Sequence, residues 1–158
     1  MTLQNLMAYH RWAVTRTLES CAVLTPDEYL RDVGDSFKSV RDTLAHGSMA
    51  DSAWLHRVRG EPFTRPTPDQ LPADLETLGA QWQVALSGWE ALIATRASSE
   101  VIQYHAFDGQ PYSSSVAEIV SHVVNHGSYH RGQVALMLRQ LGHAAVATDL
   151  IAFTRLST

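Results

Sequence analysis

One cysteine, Cys21, stands in the whole chain, so no disulfide can form within it. Its place late in an apolar-periodic helix marks a buried, inert thiol, because a reactive one needs an electropositive neighbourhood that the flanking residues do not supply. Charge is sparse as well: 18% of residues are charged, and twelve scattered Lys and Arg against sixteen Asp and Glu leave a net charge of −4. That balance excludes the basic face nucleic acid requires. No run approaches the roughly 18 uninterrupted apolar residues of a membrane span, and the opening residues lack a basic leader followed by an apolar core. The expectation is a cytoplasmic protein without membrane or nucleic-acid partners. There is no Gly-x-Ser-x-Gly elbow, no phosphate-cradling glycine loop and no histidine in sight of Cys21, so a nucleophilic triad is not evident.

What the chain does have is 45% apolar residues in 158. That suffices for a single domain over residues 1–158, burying about 70% of the surface its unfolded form exposes. The apolar residues recur with helical spacing. Leu3, Leu6, Met7, Trp12, Ala13, Val14 and Leu18 predict a first helix from Leu3 to about Val23. Thr25-Pro26-Asp27-Glu28 reads as a capping box opening a short helical turn closed by Gly34. Phe37, Val40, Leu44, Ala45, Met49, Trp54, Leu55 and Val58 predict a second long helix from Ser36 to Arg59, with Gly60 placed to end it.

Four of the six prolines fall between Glu61 and Pro72, where they remove donors and favour extended backbone. About twelve extended residues reach ~40 Å, enough to return along a helix of ~36 Å, so the second and third long helices are expected to run parallel. Leu75, Leu78, Trp82, Leu86, Trp89, Leu92 and Ile93 predict the third, from about Ala73 to Thr95. The segment from Glu100 to Tyr112 reads as a short hairpin turning at Asp108-Gly109. Ser115-Val-Ala-Glu118 is a second capping box, opening a fourth long helix to Leu141 that Gly142 ends, and 148–155 predicts a terminal helical turn. The expected fold is all-α: a four-helix bundle in up-down-down-up order, with a short hairpin between the third and fourth long helices.

The chemistry concentrates in His122-Val-Val-Asn-His126-Gly-Ser-Tyr-His130-Arg-Gly-Gln133. Residues four apart lie one above the other on a helix, so two of these imidazoles can chelate one ion. Neutral imidazole nitrogen suits zinc, nickel, copper and iron alike. The third ligand must then come from another helix, and the best donor is His46 in Leu44-Ala-His46-Gly-Ser-Met-Ala-Asp51-Ser-Ala-Trp54. Arg131 is expected to point away from the ligand face and pair with a carboxylate. His56, His105 and His143 sit at a helix end, a hairpin and a C-cap, where solvated or capping roles are expected. Trp12, Trp54, Trp82 and Trp89 read as core, and Asp42, four residues before His46, as either a carboxylate behind that ligand or a solvated position.

These blocks resemble the DinB family, the DinB/YfiT-like metalloenzymes, over essentially the entire chain. The His-Arg-Gly-Gln block is the most specific part, and Tyr9-His10-Arg11-Trp12-Ala13 is similar to the family's Tyr-Asn-x-Trp-Ala opening, with histidine where asparagine is usual. The resemblance implies metal ligands at His46, His126 and His130, with His122 and Gln133 supporting a ligand or facing substrate, and a homodimer. It further implies a divalent transition metal, zinc or nickel, and a low-molecular-weight thiol as cosubstrate of an S-transferase acting on a small molecule. Metal-dependent hydrolysis stands beside that reading, and no residue selects between them. A stress-associated helical dimer with a purely structural metal is the alternative, and a bundle without metal a third.

Overall fold

The computed structural model describes residues 1–34, 36–106 and 109–157. Each long helix begins where a short polar side chain accepts a bond from one of the first helical N–H groups. Thr2 caps α1 (Leu3–Cys21) by accepting from the Asn5 N–H. Thr25 and Glu28 form the expected reciprocal capping box on α2 (Pro26–Leu30). Ser39 caps α3 (Val40–Arg59), so the helix begins four residues later than the Ser36 start expected from periodicity: the Ser39 hydroxyl takes the Asp42 N–H while the residues before it fold back through a Val33 N–H bond to the Lys38 carbonyl. Asp74 caps α4 (Leu75–Ile93), two residues later than periodicity alone predicts. At the far end of α3, Gly60 takes φ +71°, a left-handed conformation that closes the helix without a Cβ clash.

The proline-rich connector has no helix or strand apart from a 3-10 turn over Pro68–Gln70, with extended backbone on either side of that turn at Thr67 and Leu71. Strands β1 (Val101–His105) and β2 (Pro111–Ser115) pair antiparallel from Val101 opposite Ser115 to His105 opposite Pro111. Their turn is wider than two residues: the Ala106 N–H bonds to the Gln110 carbonyl, and Gly109 has φ +80°. Asp108, the first half of the expected Asp-Gly turn, lies outside the described residues. Ser115 and Glu118 form the second capping box, and α5 (Val116–Gln140) follows without a break. A short α6 (Leu150–Thr154) ends the helical part of the chain. The protein is thus mostly helical with one small two-stranded sheet.

The four long helices contact one another in a closed ring, α1 to α4, α4 to α3, α3 to α5 and α5 back to α1. Inside the ring lie Met7, Val14, Leu44, Leu86, Trp89, Ile119 and Met137, all essentially without exposure. Burying each such side chain is worth about 1.5–3 kcal/mol. Trp82 and Trp89 belong to this core, whereas Trp12 and Trp54 sit at its edge, Trp12 against Tyr9 and Phe153 and Trp54 against Tyr104 and His122. Among the described residues no helix is long and apolar enough to cross a membrane.

Candidate metal centre

His46 follows the buried pair Leu44 and Ala45 on α3, which turns it toward α5 across the ring. His126 and His130 stand one turn apart on α5 and meet it there. The Nε2 atoms of His46 and His126 are 3.2 Å apart, those of His126 and His130 are 3.1 Å apart, and one ligand atom from each of the three lies within 4.8 Å of the others. Bonds of ~2.0–2.1 Å to one cation put neighbouring ligands about 2.9–3.4 Å apart for right-angled or tetrahedral geometry. The group can therefore hold a metal ion without the helices moving apart.

Electrostatics favour the same use. Burial first, then His130 and Arg65, pushes the His46 imidazole down to about 4. His126 is pushed down to about 4 by burial, followed by His130, His46 and His122. Both imidazoles are neutral near pH 7, which leaves their lone pairs available to a cation. Gln133 Oε1 lies 2.7 Å from His130 Nδ1 and can accept its proton only if Nε2 carries the lone pair. That bond fixes both the tautomer and the direction of the ring. Phe37 stacks on His46, with ring centroids 4.5 Å apart, and meets His130 edge-on at 5.5 Å. Periodicity assigns Phe37 to a helix stripe; it lies before the helix and walls the cluster instead.

His122 lies outside the three-nitrogen group. Its ring stands 5.7 Å from His126 and 5.1 Å from Trp54, and partial desolvation, helped by the Arg57 charge, lowers its pKa. Asp42 does not back His46: it pairs with Arg41, Nε to Oδ1 at 2.8 Å. His56 is partly exposed beside Glu61, and His143 Nε2 lies 3.2 Å from Glu28 Oε1, joining the end of α5 to α2. Cys21 is buried, and burial pushes its thiol up to about 12.

The expectation for Arg131 is half wrong. It does point away from the ligand face, but its partners are not carboxylates: it donates to Tyr9 Oη at 3.1 Å and Ser128 Oγ at 2.8 Å, and it faces His10 Nδ1 at 3.3 Å. The reason is its position, 100° around α5 from His130, which aims it at α1. Sequence reasoning missed what it joins. His10, fully buried, donates from Nε2 to Asp51 Oδ2 at 2.8 Å, and the Trp82 indole donates to that same oxygen at 2.6 Å. Arg131 can only donate, so His10 Nδ1 must be the accepting nitrogen. Tyr9 Oη continues the chain to the Thr148 carbonyl at 2.8 Å. Gly127 makes room for it, since a Cβ there would sit 2.4 Å from His10 Cε1. The one signal in the sequence was His10 itself, at the position where the family resemblance has asparagine.

The DinB family model matches residues 1–157. This chain belongs to the DinB family. Protein DinB of Bacillus subtilis (strain 168) is 28% identical over 153 residues, covering 92% of this chain and 89% of that protein. Two crystal structures share the fold. A DinB-like protein from Bacillus cereus ATCC 10987 has a TM-score of 0.65 at 15% identity, covering 90% of this chain and 94% of that one. A protein assigned to the DinB family from Exiguobacterium sibiricum 255-15 has a TM-score of 0.67 at 19% identity, covering 95% and 98%. Identities this low carry the fold alone. Within the DinB fold, the histidine cluster of this chain occupies facing surfaces of α3 and α5.

Proposed function

We propose that this DinB-family chain is a divalent-metal protein in which His46, His126 and His130 hold one transition-metal ion, zinc or nickel, and that it is a metal-dependent enzyme of the thiol S-transferase or hydrolase type. The observation that carries the reading is the convergence of three imidazoles from two helices, His126 Nε2 lying 3.2 Å from that of His46 and 3.1 Å from that of His130, with one ligand atom of each within 4.8 Å of the others. Three ligands leave coordination positions open, as catalytic rather than closed structural sites do. When bound, such an ion supplies Lewis-acid chemistry, drawing the pKa of a water or a thiol toward neutrality. The protein's own residues then do the positioning. Gln133 holds His130 in its ligating tautomer, Phe37 excludes water from one side of His46, and His122 stands where a small-molecule substrate would pass.

The reading places the chain as one cytoplasmic domain over 1–158, a four-helix bundle in up-down-down-up order. The ring of helix contacts and a connector long enough to span a helix support that arrangement. Exposed Tyr129 and Leu136 on α5 support a homodimer. Because the three ligands bridge α3 and α5, a structural clamp is the second reading.

The test loads the protein with zinc or nickel, measures stoichiometry by elemental analysis, and screens thiols with electrophiles and hydrolysable esters, in parallel with His126→Ala. One equivalent of metal and turnover, both lost in the variant, is the expected result. Metal and heat stability lost together without any turnover would establish the clamp instead. No stoichiometric metal in either protein would end both readings.

A further inference from the structure

A cleft of about 600 Å³, with His46 itself in its lining, opens between the start of α3 and the proline-rich connector. Its volume falls in the range of small-molecule sites, about 300–1,000 Å³. Phe37, Met49, Pro66 and Leu71 give it apolar walls, and a smaller cavity of about 130 Å³ shares Met49, Pro66 and Leu71 and extends it beneath the connector.

The charges around it are unbalanced. Lys38, Arg41, Arg65 and Asp42 all line the cleft. Arg41 is taken up by Asp42, while Lys38 and Arg65 have no carboxylate partner among the described residues. Two uncompensated cations over an apolar floor, in a chain of net charge −4, form a local exception to its overall sign. A neutral apolar ligand would leave both unused, and a cation would be repelled.

We propose that this cleft takes a small amphipathic anion, an apolar body bearing one carboxylate or sulfonate, with the body between Phe37, Met49, Pro66 and Leu71 and the anionic head between Lys38 and Arg65. That such a molecule then meets an ion rests on the metal reading above; that it binds does not. It names the substrate class the proposed enzyme would act on.

The probe is 8-anilinonaphthalene-1-sulfonate, compared with its uncharged relative N-phenyl-1-naphthylamine, each titrated by fluorescence with zinc measured in the same samples. Lys38→Glu/Arg65→Glu should weaken the sulfonate by about tenfold or more at low salt and leave the neutral dye within about twofold. Leu71→Asp should weaken both, and circular dichroism checks that the variants stay folded. His126→Ala should lose zinc and keep the sulfonate, so a failed metal site and a failed cleft give different results. Sulfonate binding unchanged by the double charge reversal, both dyes weakened equally by it, no sulfonate binding at all, or loss of the dye together with the zinc would each overturn the assignment.

Discussion

Two glycines in α5, five residues apart, should respond to the same substitution with opposite signs. Gly132 is exposed and a Cβ there meets nothing within 4 Å, so Gly132→Ala should stabilise by about 1 kcal/mol through helix propensity alone. Gly127 gains the same propensity but places its Cβ 2.4 Å from His10 Cε1 and 2.9 Å from Arg131 Nη1. Restoring ordinary carbon contact requires the imidazole to retreat by about 1 Å. His10 has no free direction, because it is wholly buried and its Nε2 is bonded to Asp51 at 2.8 Å. Stretching that bond beyond about 3.5 Å abandons it. Overpacking costs about 1–3 kcal/mol and an unsatisfied buried polar group another 1–3. After the propensity gain of about 1 kcal/mol, Gly127→Ala should lose about 1–5 kcal/mol. The assay is urea unfolding of metal-free protein in chelator, followed by far-UV circular dichroism, with both variants beside the parent. A Gly127→Ala protein as stable as the parent would refute the claim that His10 is held rigidly against α5.

Gln133→Ala should weaken zinc by about 10–100-fold in a competition titration with a chelating dye, because it frees the His130 ring and its tautomer. Stability of the metal-free protein should change by less than about 0.5 kcal/mol, and Gln133→Glu, which keeps an accepting oxygen, should restore most of the affinity; equal losses in both variants would exclude the orienting role. Cys21, buried with its thiol pushed up to about 12, should resist alkylation by iodoacetamide at pH 8 until urea unfolds the chain, and rapid labelling of the native protein would contradict that burial.

How much of the fold is legible in the chain depends on the distance over which each feature is decided. Caps are decided within four residues, and both boxes, Thr25 with Glu28 and Ser115 with Glu118, form as the sequence predicts. The start of α3 is less local: apolar spacing carries the helix back to Ser36, and the fold-back through Lys38 moves it to Val40. The pairing of His126 with His130 is local, four residues on one helix. His46 is 80 residues from His126; the need for a ligand from a second helix points to it, and family resemblance strengthens that choice, but periodicity alone does not bring it opposite them. The His10 network has no such help. His10 and Asp51 are 41 residues apart, and His10 and Arg131 are 121 apart, so each alone resembles an ordinary polar residue on a helix. Burial is what makes them partners, and burial is a property of the packed state.

That network bears on the histidine cluster through the geometry of α5. Gly127 and Arg131 each follow a cluster histidine by one residue, so they form a parallel stripe rotated about 100° from that of the ligands. The ligand stripe, His126 and His130, faces His46; the glycine–arginine stripe faces α1. Apolar contacts alone would tolerate small rotations of α5, since dispersion is non-directional and spread over many atoms. Directional bonds from Arg131 to Tyr9, and from His10 to Asp51 on the same helix as His46, do not. Turning α5 by one residue would move His130 by 100° around its axis and remove Arg131 from Tyr9. A buried guanidinium and a buried carboxylate are costly groups to place in a core, and breaking either contact would remove one of the few bonds that satisfy them. Rotations that would separate the Nε2 atoms are therefore opposed at the α1 face of the helix before they reach the ligands.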